Sequence, residues 1–158
     1  MLLRKRAWDV MRTDFLTIEE SAGLTEAIAA LHKSLETSQD NDCVVVTSDK
    51  GRFLGVLTVR SALMALGPCL LKELHARGDQ DWERSFDHAV RACSRGRVSE
   101  YVQKGVPVVK PAESLGRVLE MLNDYRTNRL AVEEGDKIIG LILHADVFKE
   151  LCRETEIC

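Results

Sequence analysis

An ordered set of segments that occurs twice constrains this chain more than any other feature of its sequence. Residues 15–24 and residues 106–115 each pass from a short apolar run through a polar turn into a helical pattern. The same spacing pairs Val-Met at residues 10–11 with Tyr-Val at residues 101–102, and we call these two segments the lead-ins. Self-similarity of this length is typical of repeat architectures. The sequence therefore predicts two copies of one structural unit.

Each copy continues with an amphipathic helix. Apolar residues recur at i, i+3, i+4 and i+7 from Leu24 in the first copy, and again from Leu115 in the second. This spacing places them on one helical face that can be buried. Gly23 and Ser114 stand where these helices begin, and a serine at that position can cap free backbone N–H groups. We therefore expect one core-facing helix per copy.

A hairpin and a short closing helix complete each copy. Two apolar runs separated by turn-forming residues predict the hairpin. The hairpins and closing helices fall at residues 43–57 and 59–66 in the first copy, and at residues 130–142 and 145–151 in the second. Each unit is therefore predicted as β-α-β-β-α. The first copy is slightly longer, and its extra residues fit best in the polar stretch 36–41.

These elements predict an α/β fold in which the two repeats pack with pseudo-twofold symmetry. A unit of this size buries too little surface to be stable alone, so we expect both to share a core. We assign residues 8–66 to the first repeat, 67–97 to a helical connector and 98–152 to the second repeat. The connector is predicted to contain a docked helix, with Asp79 and Asp81 as candidate caps. Its apolar face holds Trp82, Phe86, Ala89, Val90 and Cys93.

Composition excludes several classes of protein. Apolar residues make up 45% of the chain, charged residues 30%, and the net charge is −3, as in a globular domain without a general affinity for nucleic acid. We interpret the basic run at residues 4–6 as a solvated terminus. No apolar run approaches the length that spans a bilayer, and no signal peptide is evident. The sequence therefore predicts no membrane segment and a cytoplasmic location.

The cysteine pattern favours neither disulfides nor metal. The cysteine count is odd and no pair has the C-x-x-C spacing, which argues against a disulfide framework and a zinc knuckle. Cys43 lies in an apolar run and Cys93 on an apolar helical stripe, so we expect both to be small core residues. The five cysteines are Cys43, Cys69, Cys93, Cys152 and Cys158.

The order of elements resembles the cystathionine β-synthase (CBS) domain. The lead-in at residues 10–11 and the closing signature of glycine, two apolar residues, threonine, two residues and aspartate carry the resemblance. It covers about residues 8–66 and 98–152, and two such domains in tandem form a Bateman module. The resemblance implies dimers, and clefts between repeats that bind AMP, ADP, ATP or S-adenosylmethionine as regulatory ligands. From the residues themselves we expect no catalytic cofactor and no metal, because no histidine has a histidine or cysteine four positions away.

The first copy of the signature is incomplete. It begins at Gly55 and keeps the hydroxyl at Thr58, but Ser61 stands where the resemblance implies a ribose-binding carboxylate. Arg60 could offer a cation to phosphate. The structural alternatives are that Thr58 is a helix cap and that Arg60 is a solvated helix residue.

The second copy is incomplete in the opposite way. It begins at Gly140 and keeps the carboxylate at Asp146, whereas Leu143 has lost the hydroxyl. His144 could donate to phosphate, more strongly below neutral pH. The structural alternatives are that Asp146 complements the helix dipole and that His144 has no ligand role. The resemblance also implies main-chain contacts to the base from Val106, Pro107 and Val108.

Two function classes remain open. The first is a sensor that binds an adenosine-containing ligand between the repeats and signals through the geometry of a dimer or of an unknown effector protein. The second is a ligand-free dimerisation or interaction module with degenerate sites. An enzyme is not expected, because the four histidines are scattered and no phosphate-binding loop motif occurs. A homodimer is predicted from the apolar cluster of Leu63, Met64, Leu66, Leu70 and Leu71.

Overall fold

The computed structural model describes residues 4–77 and 82–157, and it divides into two compact units. One unit combines the chain up to Phe15 with the chain from Gly105 onward. The other comprises Leu16–Lys104. Each lead-in therefore belongs to the unit that holds the hairpin of the other repeat. The compact units and the sequence repeats do not coincide for this reason.

Both copies have the predicted β-α-β-β-α order. Each unit holds a three-stranded sheet, in the order β1-β2-β3 and β4-β5-β6, with its first pair parallel and its second antiparallel. The elements in chain order are α1 Ala7–Val10, β1 Thr17–Glu19, α2 Leu24–Thr37, β2 Cys43–Thr47, β3 Phe53–Thr58, α3 Val59–Arg77, α4 Trp82–Cys93, a 3-10 turn Val98–Glu100, β4 Val108–Val109, α5 Leu115–Asp124, β5 Arg129–Glu134, β6 Lys137–Leu143 and α6 His144–Arg153. None of the described helices is long and apolar enough to cross a membrane.

The helix stripes predicted from the sequence reach the cores of their units. Leu24 and Leu115 are buried at the starts of α2 and α5. Gly23 and Ser114 precede them, and the Ser114 side chain accepts a hydrogen bond from the Arg117 backbone N–H at 3.1 Å. One member of the second stripe differs, because Leu119 is 43% exposed. The cap and the stripe together fix which face of α5 covers its sheet.

The closing helix of the first copy is longer than predicted. It was expected to end at Leu66, but α3 continues through Pro68 to Arg77. Proline inside a helix removes one backbone hydrogen bond and favours a kink, so sequence alone indicates a stop there. Packing of α3 against α4 accompanies the extension. The predicted connector helix is present as α4, whereas Asp79, Asp81 and the side chains of residues 82–86, with Trp82 and Phe86, lie outside the described residues.

The prediction that the cysteines form no disulfide is wrong. Cys69 on α3 and Cys93 at the end of α4 are bonded, with their Cα atoms 5.8 Å apart. The pairing depends on the extension of α3 beyond Leu66, which sequence spacing does not reveal. Cys152 is also disulfide-bonded, while Cys43 is buried in β2 as predicted.

Candidate functional site

Each lead-in, together with the residue that follows it, crosses beside the last strand of the other repeat's hairpin. Arg12 and Leu141 exchange two backbone hydrogen bonds, of 2.7 and 3.0 Å. Gln103 and Val56 exchange the equivalent pair, of 2.8 and 3.2 Å. Each sheet therefore gains a short stretch of backbone pairing at the outer edge of its last strand. This crossing brings residues of the lead-in to the start of the closing helix.

The signature glycines make the crossing possible. A Cβ on Gly140 would lie 2.6 Å from Met11 Sδ and 2.9 Å from Met11 Cβ. A Cβ on Gly55 would lie 2.2 Å from the Gln103 carbonyl oxygen. Both glycines therefore let another segment of the chain approach closely, which is a packing role.

Asp146 lies in the first turn of α6, and Arg12 binds its carboxylate. Arg12 Nε donates to Oδ2 at 2.7 Å, and Nη2 donates to Oδ1 at 2.9 Å. The two side chains are each 17% exposed. This bidentate geometry is the strong form of an arginine–carboxylate contact. The carboxylate that the sequence assigned to ribose therefore already has a cationic partner within the chain.

Further charges surround this pair. A cavity of about 170 Å³ adjoins it, and the cavity is smaller than the roughly 300 Å³ typical of a complete small-molecule site. Glu150 is buried and paired with Lys5 and Arg153. The cavity is lined by Asp9, Val10, Arg12, Asp146, Lys149, Glu150 and Arg153. It can hold a phosphate or a sugar, but a whole nucleotide would extend beyond it.

His144 is fixed at the start of α6 by Asn128. Its backbone N–H donates to the Asn128 carbonyl at 2.9 Å, and its Nδ1 lies 3.1 Å from the same oxygen. Because a carbonyl only accepts hydrogen bonds, this contact requires the proton on Nδ1. The exposed ring then presents Nε2 outward. The register also places Arg129 opposite Leu143, so a buried arginine lies at the same end of the hairpin as His144.

In the first copy the signature polar groups bond to each other. Thr58 Oγ1 accepts the Ser61 backbone N–H at 2.9 Å, and the two hydroxyls lie 2.9 Å apart. Thr58 is therefore the cap of α3, as the structural alternative proposed. Arg60 is exposed and lines a shallow apolar hollow with Leu63 and Met64. The structure does not bring Arg60 to Thr58 as part of one polar site.

The segment expected to contact the base lies elsewhere in the sheet. Val106 and Pro107 are buried, and Val108 in β4 is 39% exposed. Strand β4 pairs with β5 and β5 with β6, whereas Arg12 pairs on the outer edge of β6. Strands lie about 4.8 Å apart, so β4 is roughly 10 Å from β6. Strand β4 and the Arg12 segment therefore lie at opposite edges of this sheet.

Sequence reasoning missed Arg12 because it treated each lead-in as part of its own repeat. The available signal was its position directly after the Val-Met lead-in, where the second copy has Gln103. The two positions are equivalent, since each pairs with the strand that leads to a signature helix. At these two equivalent pairs of positions, Arg12 and Asp146 are both charged, whereas Gln103 and Ser61 are both neutral.

Two β-α-β-β-α repeats, each completed by the lead-in of the other, define an α/β tandem-repeat module. The CBS domain family model matches residues 7–68 and 98–153. The chain belongs to the CBS domain family and carries two copies of the domain. Proteins of this family are generally regulatory modules rather than enzymes. The search of curated proteins gave no match.

Solved structures show the same fold at low sequence identity. A CBS domain-containing protein of unknown function from Kribbella flavida has 19% identity and a TM-score of 0.70, with 93% of this chain and 97% of that chain covered. The CBS-domain containing protein ATU1752 from Agrobacterium tumefaciens has 23% identity and a TM-score of 0.59, with 91% of each chain covered. The cytosolic domain of the Mg²⁺ channel MgtE in complex with ATP has 20% identity and a TM-score of 0.63, with 89% of this chain and 46% of that chain covered.

Proposed function

We propose that this CBS pair is a sensor that binds an adenosine-containing ligand with Asp146 as its ribose contact. One observation carries the proposal: the Asp146 carboxylate is held at the start of α6 beside a partly open cavity that also presents Arg12, Lys149 and Arg153. A carboxylate can accept hydrogen bonds from both hydroxyls of a ribose, and the neighbouring cations suit a phosphate. Ligand binding would then alter the geometry of a dimer or of an effector protein.

One solved relative indicates which class of ligand to test first. The MgtE domain was solved with ATP, which makes an adenine nucleotide a reasonable first ligand to test. Adenine nucleotides and S-adenosylmethionine are both candidates on chemical grounds, since both carry the ribose that Asp146 would bind. The base contact of Val106, Pro107 and Val108 stays a prediction, as do the phosphate contacts of His144 and Arg60.

The ligand-free interaction module is the second candidate, and a specific observation favours it. The polar groups of both signatures already have partners within the chain: Thr58 with Ser61, and Asp146 with Arg12. A site whose polar atoms are all satisfied gains less from a ligand, because existing bonds must first break. Only a ligand that replaces the Arg12 contact with comparable interactions would bind under these conditions.

We also propose a homodimer, formed through exposed apolar side chains near the closing helices. In one unit, Leu63 and Met64 on α3 are 63% and 66% exposed, and in the other unit Phe148 on α6 is 64% exposed. Large apolar side chains exposed to this extent favour an interaction surface. Two members of the cluster predicted from the sequence, Leu66 and Leu70, instead pack against the core of their own unit.

A nucleotide series with matched variants tests the sensor. Thermal unfolding is followed with adenosine, AMP, ADP, ATP and S-adenosylmethionine, because a ligand of the native state raises the melting temperature. Asp146→Asn should abolish the shift, whereas Asp136→Asn, an exposed acid in the β5–β6 turn, should retain it. No shift with any compound in the wild type would refute the sensor and leave the interaction module. An equal shift in Asp146→Asn would place the ligand elsewhere.

The predicted cytoplasmic location stays a proposal. The Cys69–Cys93 disulfide weighs against it, because structural disulfides are rare in reducing compartments. The redox state of these cysteines in protein purified under non-reducing conditions, measured by mass spectrometry after thiol alkylation, tests whether the bond forms.

A further inference from the structure

We infer that Arg12 determines which adenosyl ligands this site accepts, by occupying the ribose carboxylate until an anionic group replaces it. This inference rests on the proposed function and adds a specificity-determining residue to it. Its basis is the bidentate contact of Arg12 with Asp146, in which two guanidinium nitrogens bind two carboxylate oxygens. Each oxygen of Asp146 already accepts one hydrogen bond from the guanidinium, so a ribose diol must either share the carboxylate through its remaining lone pairs or displace Arg12, and we infer displacement.

The backbone holds Arg12 within reach of Asp146. Arg12 N–H and C=O both pair with Leu141, on the strand that leads into α6. Gly140 precedes Leu141 and has no room for a side chain, because Met11 packs against it. The Cα of Arg12 is therefore fixed close to the start of α6. Only the side chain can move, and it can turn from Asp146 toward a ligand while its backbone stays in place.

The net effect differs between ligands according to their charge. A ribose that takes Asp146 removes that partner from Arg12, which is costly for a guanidinium that is only 17% exposed. A phosphate on the same ligand offers Arg12 a second bidentate partner. Adenosine offers no such group. S-adenosylmethionine carries a sulfonium cation in place of a phosphate, and its one anionic group is the carboxylate at the far end of its methionine chain. The cavity lining itself carries both signs of charge, with Asp9 and Glu150 beside Lys149 and Arg153.

The first repeat provides an internal comparison. Gln103 occupies the position equivalent to Arg12, and Ser61 occupies the position equivalent to Asp146. The same backbone crossing exists there without a charge pair, so the crossing itself does not require an arginine. The backbone crossing is thus common to both repeats, whereas the Arg12–Asp146 charge pair is a feature of this copy of the signature.

The test is calorimetry on the full chain with adenosine, AMP and S-adenosylmethionine at one fixed salt concentration. In the wild type, AMP should bind about tenfold or more tightly than adenosine, because a charge-assisted contact is involved. In Arg12→Gln the adenosine affinity should rise and the AMP preference should fall to about threefold or less. Arg12→Lys keeps the positive charge but cannot bind a carboxylate or a phosphate in a bidentate way. It should therefore retain part of the AMP preference, and adenosine should bind more tightly than in the wild type because the contact with Asp146 is weaker. Arg52→Gln, at an exposed turn, is the control and should match the wild type.

The outcomes separate this inference from the proposed function. If the wild type binds ligand and Arg12→Gln has the same adenosine affinity and the same preference for AMP over adenosine, the role of Arg12 is overturned and the sensor is left intact. Binding of adenosine by Arg12→Gln alone, with no ligand bound by the wild type, would support Arg12 as the blocking group and refute the sensor. Absence of binding in both proteins would overturn both.

Discussion

Substitution of the two signature glycines by alanine should have unequal effects on stability. In Gly55→Ala the new Cβ would lie 2.2 Å from the Gln103 carbonyl oxygen, a backbone atom that cannot rotate away. In Gly140→Ala the new Cβ would lie 2.6 Å from Met11 Sδ, which can rotate away, and 2.9 Å from Met11 Cβ, which moves only with its backbone. Gly55 also has a φ of 154°, which residues with a side chain rarely adopt. We therefore expect Gly55→Ala to be the more destabilising change.

The loss in the free energy of unfolding can be estimated from the contacts that each alanine disturbs. Holding an alanine at the φ of Gly55 costs about 1–3 kcal/mol. Separating Val56 from Gln103 to relieve the clash loses two backbone hydrogen bonds, each worth about 1 kcal/mol. Gly55→Ala should thus lower the free energy of unfolding by about 3–5 kcal/mol. Gly140→Ala should lower it by about 1–3 kcal/mol, the usual cost of overpacking, because Met11 must shift but none of the three nearest atoms belongs to the backbone.

Urea unfolding followed by circular dichroism measures both variants. Gly23→Ala is the matched control, since its Cβ would meet no atom within 4 Å, and it should change the free energy of unfolding by less than about 1 kcal/mol. If Gly55→Ala behaved like Gly23→Ala, the close crossing of the lead-in would be refuted. Unchanged stability together with a loss of nucleotide affinity would instead assign Gly55 to the ligand.

Three further measurements test other parts of the structure. Cys93→Ser should lower the free energy of unfolding by about 3 kcal/mol under non-reducing conditions, as expected for a loop closed over a separation of 24 residues, and a reducing agent should abolish the difference from the wild type. Ser114→Ala should cost about 1 kcal/mol in the same urea assay, because it removes the side-chain cap of α5, whereas Ser99→Ala should have little effect. Phe148→Glu should convert the dimer to a monomer by light scattering at micromolar concentration; a monomeric wild type would contradict the dimer, and a dimeric variant would place its interface elsewhere.

The repeat, the element order and the family could all be predicted from the sequence, since periodicity and turn chemistry act locally. Leu24 and Leu115 illustrate this, because their spacing alone identifies the buried helix face. The disulfide could not be predicted, because it depends on how far α3 extends past Pro68. Long-range packing decides that extension against the local preference of proline.

The candidate site was predicted in part, for a related reason. Asp146 was identified from the position of a carboxylate in the signature, which is a local feature. Its partner Arg12 is far away in the sequence, and they meet because the lead-in crosses to the hairpin of the other repeat. Strand pairing also places β4 at the opposite edge of the sheet from Arg12, and no local pattern in the sequence shows this.

The most direct test of ligand binding through Asp146 is a crystal structure of the full chain with a bound adenine nucleotide. We predict that the ribose hydroxyls lie within about 3 Å of the Asp146 carboxylate oxygens. We also predict that the Arg12 guanidinium has turned from Asp146 to the phosphate, with its backbone still paired to Leu141. A nucleotide bound elsewhere would contradict the ribose role of Asp146, and one bound while Arg12 still holds both oxygens of Asp146 would contradict the role of Arg12.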